Sequence, residues 1–162
     1  MRRIDCRILA SVVCLAMGSV VSAGVVFAQS DPAVGTWKLN PARSRYSPGP
    51  VPKSNLIVIA AVDNGLKVSG QGTDGAGKPT SINYTVTYDG KEKPVTGSPD
   101  YDSTTGKRIN ASTTEQTRKK EGKMVQTQKR EVSADGKTMT ITTTGKDAHG
   151  KTVHNVAVFE KQ

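Results

Sequence analysis

The sequence predicts an all-β fold: an antiparallel up-and-down meander closed into a barrel of about 8–10 strands, preceded by a signal peptide. Three observations carry this reading. Turns recur through the chain, with glycines at 65, 77, 90, 106, 122, 136 and 150, spaced 12 to 16 residues apart. Between them, apolar and β-branched residues alternate with polar ones at the two-residue period of a half-buried strand. No segment longer than a turn carries helical periodicity. A meander of that length leaves two exposed edges unless it closes on itself, so a barrel is expected rather than an open sheet.

Residues 1–28 read as the signal peptide. Arg2, Arg3 and Arg7 make a basic start, an apolar run follows from Ile8, and Val26-Phe27-Ala28 gives a small-residue cleavage pattern before Gln29. Gly18, Ser19, Ser22 and Gly24 weaken the run as a membrane anchor, and no stop-transfer charges follow it. The expected product is therefore exported, periplasmic or extracellular, and not membrane-spanning once the leader is removed. Residues 29–162 form its single β-barrel domain.

The leader holds three arginines and one aspartate, so residues 29–162 retain +7 of the chain's +9. Both cysteines, Cys6 and Cys14, lie in the leader, so the domain is expected to hold no disulfide, thiolate nucleophile or cysteine-ligated metal. Leu, Ile, Val and Phe make up only 21 of its 134 residues, a share found in disordered chains. Its 18 threonines are β-branched and set in alternating runs, which favours strands instead. A thin or wet core follows.

Taken in order, Gly35-Thr36-Trp37-Lys38-Leu39 carries the chain's one tryptophan and opens the series. It is the strand on which the barrel is expected to close, with Trp37 as a structural plug at one end. Leu56 to Val62 is apolar on both faces, so its outer face needs a cover, either the Pro-rich connection Asn40–Lys53 or a second subunit. Leu66, Val68, Gly70 and Gly72 alternate with polar residues, and the glycines are expected to leave inward space beside the next strand's tyrosines. That next strand alternates Ile82, Tyr84, Val86 and Tyr88 with Ser81, Asn83, Thr85 and Thr87. Asp100 and Asp102 flank Tyr101 after a proline, as in a loop or a strand entry.

The last third fixes a register if Glu121-Gly122 and Asp135-Gly136 are two-residue turns. One face then collects Thr113, Glu115 and Thr117, then Met124, Gln126, Gln128, Arg130 and Val132, then Met139, Ile141 and Thr143. The methionines, Val132 and Ile141 mark this face as inward. Gln116 and Arg118 fall on the outer face. Arg130, Gln128, Gln126 and Glu115 would then line one interior wall, paired, wet or touching a ligand, since burying them unpaired costs several kcal/mol.

The opening Gly35-Thr36-Trp37-Lys38-Leu39 and the ending Val156-Ala157-Val158-Phe159-Glu160-Lys161 resemble the first and last strands of the calycin barrels, the lipocalins and intracellular fatty-acid-binding proteins. The chain also resembles small exported bacterial lipocalin-like proteins without assigned function. The resemblance implies a barrel with an interior ligand site. Two departures qualify it. Fatty-acid binders insert a two-helix lid between the first two strands, where Asn40–Lys53 is short and Pro-rich. Their last strand carries an inward arginine and tyrosine, where this chain has Ala157 and Phe159.

These readings make Arg130, Gln128, Gln126, Tyr84, Tyr88 and Phe159 the candidate ligand-binding residues. The expected partner is a small amphipathic or anionic molecule, with Arg130 either anchoring its charge or paired internally with Glu115. A second reading is an envelope or surface protein using the basic stretch 107–137, which holds nine basic and four acidic residues, on anionic lipid or polysaccharide. A nucleic-acid partner is not expected, for that stretch has no aromatics to stack bases. His149 and His154 stand without clustered ligands, so neither a metal nor another cofactor is expected. No nucleophile elbow or phosphate loop is present, so catalytic residues are not assigned and an enzyme is the third reading.

Overall fold

The computed structural model describes residues 31–162, so the expected leader lies outside the described residues. Ten strands follow one another: β1 Gly35–Leu39, β2 Ser54–Val62, β3 Gly65–Thr73, β4 Pro79–Thr87, β5 Lys93–Thr96, β6 Ser103–Arg108, β7 Thr113–Lys120, β8 Lys123–Val132, β9 Thr138–Lys146 and β10 Thr152–Lys161. Each pairs antiparallel with its sequence neighbour, and β1 pairs with β10, so the sheet closes into a barrel. The one helical element described is a 3-10 turn at Pro41–Arg43. The expected fold is the observed one.

Closure runs through the tryptophan strand. Trp37 lies opposite Lys161 on β10 and Ile57 on β2, which ties the start of the meander to both its neighbours. Above Leu39 the Pro-rich connection continues this seam. Arg45 and Val156 exchange both backbone hydrogen bonds (2.8 and 2.7 Å), and His154 donates its backbone N–H to the Ser47 carbonyl at 2.7 Å. The connection thus lies along β10 and does not cover β2. Leu56 and Val58 on the outer face of β2 remain 45% and 46% exposed.

The barrel has two unlike ends. Ile59, Leu66, Val86, Met139 and Trp37 pack the lower half, where segment Asp31–Val34 folds underneath and buries Ala33. The indole of Trp37 is fully buried and donates from Nε1 to the Ala33 carbonyl at 2.8 Å. Asp31 latches this segment by accepting from Ala33 N (2.9 Å), from the Tyr88 hydroxyl (3.0 Å) and from Arg108. Arg108 also stacks on the Tyr88 ring, 4.4 Å from its centroid.

The glycines of β3 do not leave empty space. A Cβ on Gly70 would come within 2.9 Å of the Ile82 side chain, which already fills that position. At Gly72 a Cβ would sit 2.2 Å from the Ser54 carbonyl, so this glycine permits close approach of β2 where the sheet coils.

Register in the last third follows expectation for β8 and β9 and departs from it for β7. Val132 faces Met139 and Arg130 faces Ile141, as a tight Asp135-Gly136 connection requires. The Glu121-Gly122 turn is a two-residue hairpin loop with φ of 50° and 75°. Two residues beyond it the register shifts: Lys119 faces Met124, but Arg118 faces Gln126, leaving Val125 as an extra residue on β8. Because side chains alternate, that one residue turns β7 over. Thr114, Gln116 and Arg118 point inward and are buried, while Glu115 faces outward opposite Lys129. Met124 falls on the outside, 67% exposed. Met124→Lys is therefore expected to change unfolding free energy by no more than about 0.5 kcal/mol, as at other surface positions. A loss of several kcal/mol in a urea titration would restore the inward register.

Candidate ligand-binding site

The upper half of the barrel holds a cavity of about 250 Å³. That is room for roughly eight waters at ~30 Å³ each. Its walls divide by chemistry. Ile57 of β2, Val68 of β3, Ile82 of β4, Ile141 of β9, and Val153, Ala157 and Phe159 of β10 give it an apolar side. Arg118 of β7 with Gln126 and Gln128 of β8 gives it a polar one, and Tyr46, Asn55, Ser98, Asp100, Tyr101 and Asn155 complete the rim.

Arg118 is the centre of the polar wall. Its Nη1 donates to Gln126 Oε1 at 3.2 Å and its Nη2 to Gln128 Oε1. Gln126 is oriented in turn by donating from Nε2 to the Lys146 carbonyl at 3.0 Å. The guanidinium lies under the Tyr101 ring, 4.3 Å from its centroid, in a cation–π contact. Its Nε has no partner among the described residues. Two glutamine oxygens thus stand where a carboxylate would normally sit. They supply dipoles but no charge.

The neighbouring phenols do not supply it either. Burial raises the Tyr101 hydroxyl above its usual pKa, against the opposing pull of Arg118. Burial raises Tyr46 as well, again with Arg118 pulling the other way. Both stay neutral at ordinary pH. Asp100, at the rim, accepts from the backbone N–H of Ala148 at 2.9 Å and does not pair with Arg118. Among the described residues neither Arg118 nor Arg130 takes part in an ion pair. No aspartate or glutamate is among the buried residues described.

The structure separates the candidate residues of the sequence. Tyr84, Gln126, Gln128 and Phe159 line the cavity. Arg130 lies deeper, buried, with its Nη2 donating to the Tyr84 hydroxyl at 3.3 Å. The expected Arg130–Glu115 pair does not form, because the Val125 bulge carries Glu115 outside. Tyr88 belongs to the lower end. Burial first, then the charge of Asp31, raises its hydroxyl well above the usual tyrosine range. Trp37 is a packed core residue beneath the cavity.

Sequence reasoning missed Arg118 and Tyr101. The run Glu115-Gln116-Thr117-Arg118 is polar on both faces, so nothing in it marks which side is inward. The pairing Met124-Val125, two apolar residues where alternation asks for one, was the available sign of a bulge.

The basic stretch 107–137 is also divided. Arg118 and Arg130 are interior, while Arg108, Lys119 and Lys129 pair with Asp31, Glu92 and Glu131. Lys107, Lys120, Lys123 and Lys137 are left outside these pairs. No described helix is long and apolar enough to cross a membrane.

The ten-stranded closed meander with an interior cavity has the architecture of a calycin-like β-barrel. Among solved structures, the chain is similar to Rv2717c from M. tuberculosis, at 15% identity and a TM-score of 0.52, over 81% of this chain and 93% of that one. It is also similar to zebrafish ileal bile acid-binding protein complexed with cholic acid, at 11% identity and a TM-score of 0.47, over 81% and 99%. No family model matches the sequence, and no curated protein does.

Proposed function

We propose that the protein is an exported binder of a small amphipathic anion, held in the upper cavity with its charged group against Arg118. The observation that carries this is a buried guanidinium facing the cavity and ion-paired with no described acid, the rim's Asp100 accepting instead from Ala148 N. An arginine stays charged at any physiological pH, and leaving one buried without a counter-ion costs several kcal/mol. A ligand carboxylate, sulfate or phosphate offsets that cost by bonding to the N–H groups the glutamines leave open. The apolar wall opposite takes the rest of the molecule, and the volume, just under the usual range for ligand pockets, favours a small one. Residues 1–28, read as a leader, support placing the protein in the periplasm or outside the cell.

Titration calorimetry with octanoate and octanol tests the reading, since the two share a chain and differ in charge. One charge-assisted hydrogen bond contributes about 1.5–3 kcal/mol, so octanoate should bind at least roughly tenfold more tightly. Equal affinities, or tighter binding of the alcohol, would remove the anion from the proposal.

A further inference from the structure

Below the cavity lies a second group of buried donors that the ligand site does not use. Arg130 is 2% exposed, does not line the cavity, and makes one side-chain hydrogen bond, to the Tyr84 hydroxyl. Its Nε and Nη1 have no partner among the described residues. Thr114, directly opposite Arg130 on β7, is buried with its Oγ1 unpartnered. Gln116, the next inward residue of β7, is diagonal to Arg130 and within reach of a long side chain. Its Oε1 takes the Thr104 hydroxyl at 3.5 Å, and its Nε2 is unpartnered.

The carboxylate bonded to Tyr88 is not free to serve this group. Asp31 lies beyond Tyr88, and its oxygens are occupied by Ala33 N, the Tyr88 hydroxyl and Arg108. Arg130 also faces Ile141 on β9, the Tyr84 hydroxyl on β4, and Tyr88 just beyond β4, whose phenol burial keeps protonated. A water is a poor match for the cluster. It accepts two hydrogen bonds and must donate two, whereas the cluster offers Arg130 Nε, Arg130 Nη1 and Gln116 Nε2 as donors and only the Thr114 hydroxyl as an acceptor. A small anion accepts from all of them and neutralises the guanidinium as well.

We infer that Arg130, Gln116 and Thr114 form a resident site for a small inorganic anion of the halide class, separate from the ligand cavity above it. Such an ion is a structural counter-charge. It fills the acceptor deficit at the base of the polar wall and fixes Arg130, which in turn positions the Tyr84 hydroxyl facing the cavity.

Crystals of the protein soaked in bromide and measured at the bromine absorption edge locate the ion directly. The expected result is an anomalous peak beside Arg130 Nε and Nη1. In parallel, Tm is followed at constant ionic strength while bromide replaces gluconate. Ligation by the folded state alone should raise it by on the order of 5 °C at saturation. Arg130→Met should abolish that rise, and the variant should fold in halide-free buffer because a methionine needs no counter-ion. No peak at Arg130, a peak at Arg118 alone, or a midpoint indifferent to bromide overturns the assignment. A bromide response that survives in Arg130→Met does so equally.

Discussion

Arg118→Met is expected to weaken octanoate binding by about 30-fold or more without lowering stability. Removing one partner of a buried charged pair costs about 2–5 kcal/mol in affinity, and 1.4 kcal/mol is tenfold. The accompanying gain distinguishes this arginine from an ordinary core residue. In the empty barrel Arg118 has only neutral acceptors in Gln126 and Gln128, so its charge is a net cost to folding. Methionine fills similar volume without that cost, and the unfolding free energy of the ligand-free variant should equal or exceed that of the parent. Octanol affinity should change little. A variant that loses stability while keeping octanoate affinity would make Arg118 a structural residue.

The largest loss of stability is expected at Trp37. Truncating a fully buried aromatic costs about 3–5 kcal/mol, and Trp37→Ala also leaves the Ala33 carbonyl without its 2.8 Å donor. The indole joins β1 to the packed lower core and holds down the segment that closes the lower end. Urea unfolding should therefore show a greatly reduced midpoint, with the 31–34 segment becoming sensitive to proteolysis before the barrel itself. A loss below about 1.5 kcal/mol would mean that the 31–34 segment and the remaining core hold that end without the tryptophan.

The barrel was legible because its signals are local and repeated. Asp-Gly and Asn-Gly turns set strand lengths, alternation set faces, and the Gly35–Leu39 opening marked the closing strand. The position of Asn40–Lys53 was not legible, because its prolines show only that it is irregular; what places it is backbone pairing with β10, a long-range contact. The site was half legible. Gln126, Gln128 and Tyr84 sit on strands whose apolar neighbours reveal the inward face, and they line the cavity. Arg118 sits on a strand without such neighbours, where a one-residue bulge decides orientation. The exchange of Glu115 for Arg118 has the greatest chemical consequence. An expected internal ion pair becomes a pair of arginines without an acid, and that charge imbalance underlies both the proposed ligand and the proposed resident ion.

The exposed stripe of Leu56 and Val58 on β2 stands apart from this account, for none of the described residues covers it. The account's central claim concerns the interior, and native mass spectrometry of the protein isolated from its own host addresses it most directly. The predicted result is a bound small molecule carrying one anionic group, released by acid and missing from Arg118→Met prepared in the same way. A wild-type protein that carries no ligand, or carries a neutral or cationic one to the same extent as the variant, would contradict the account.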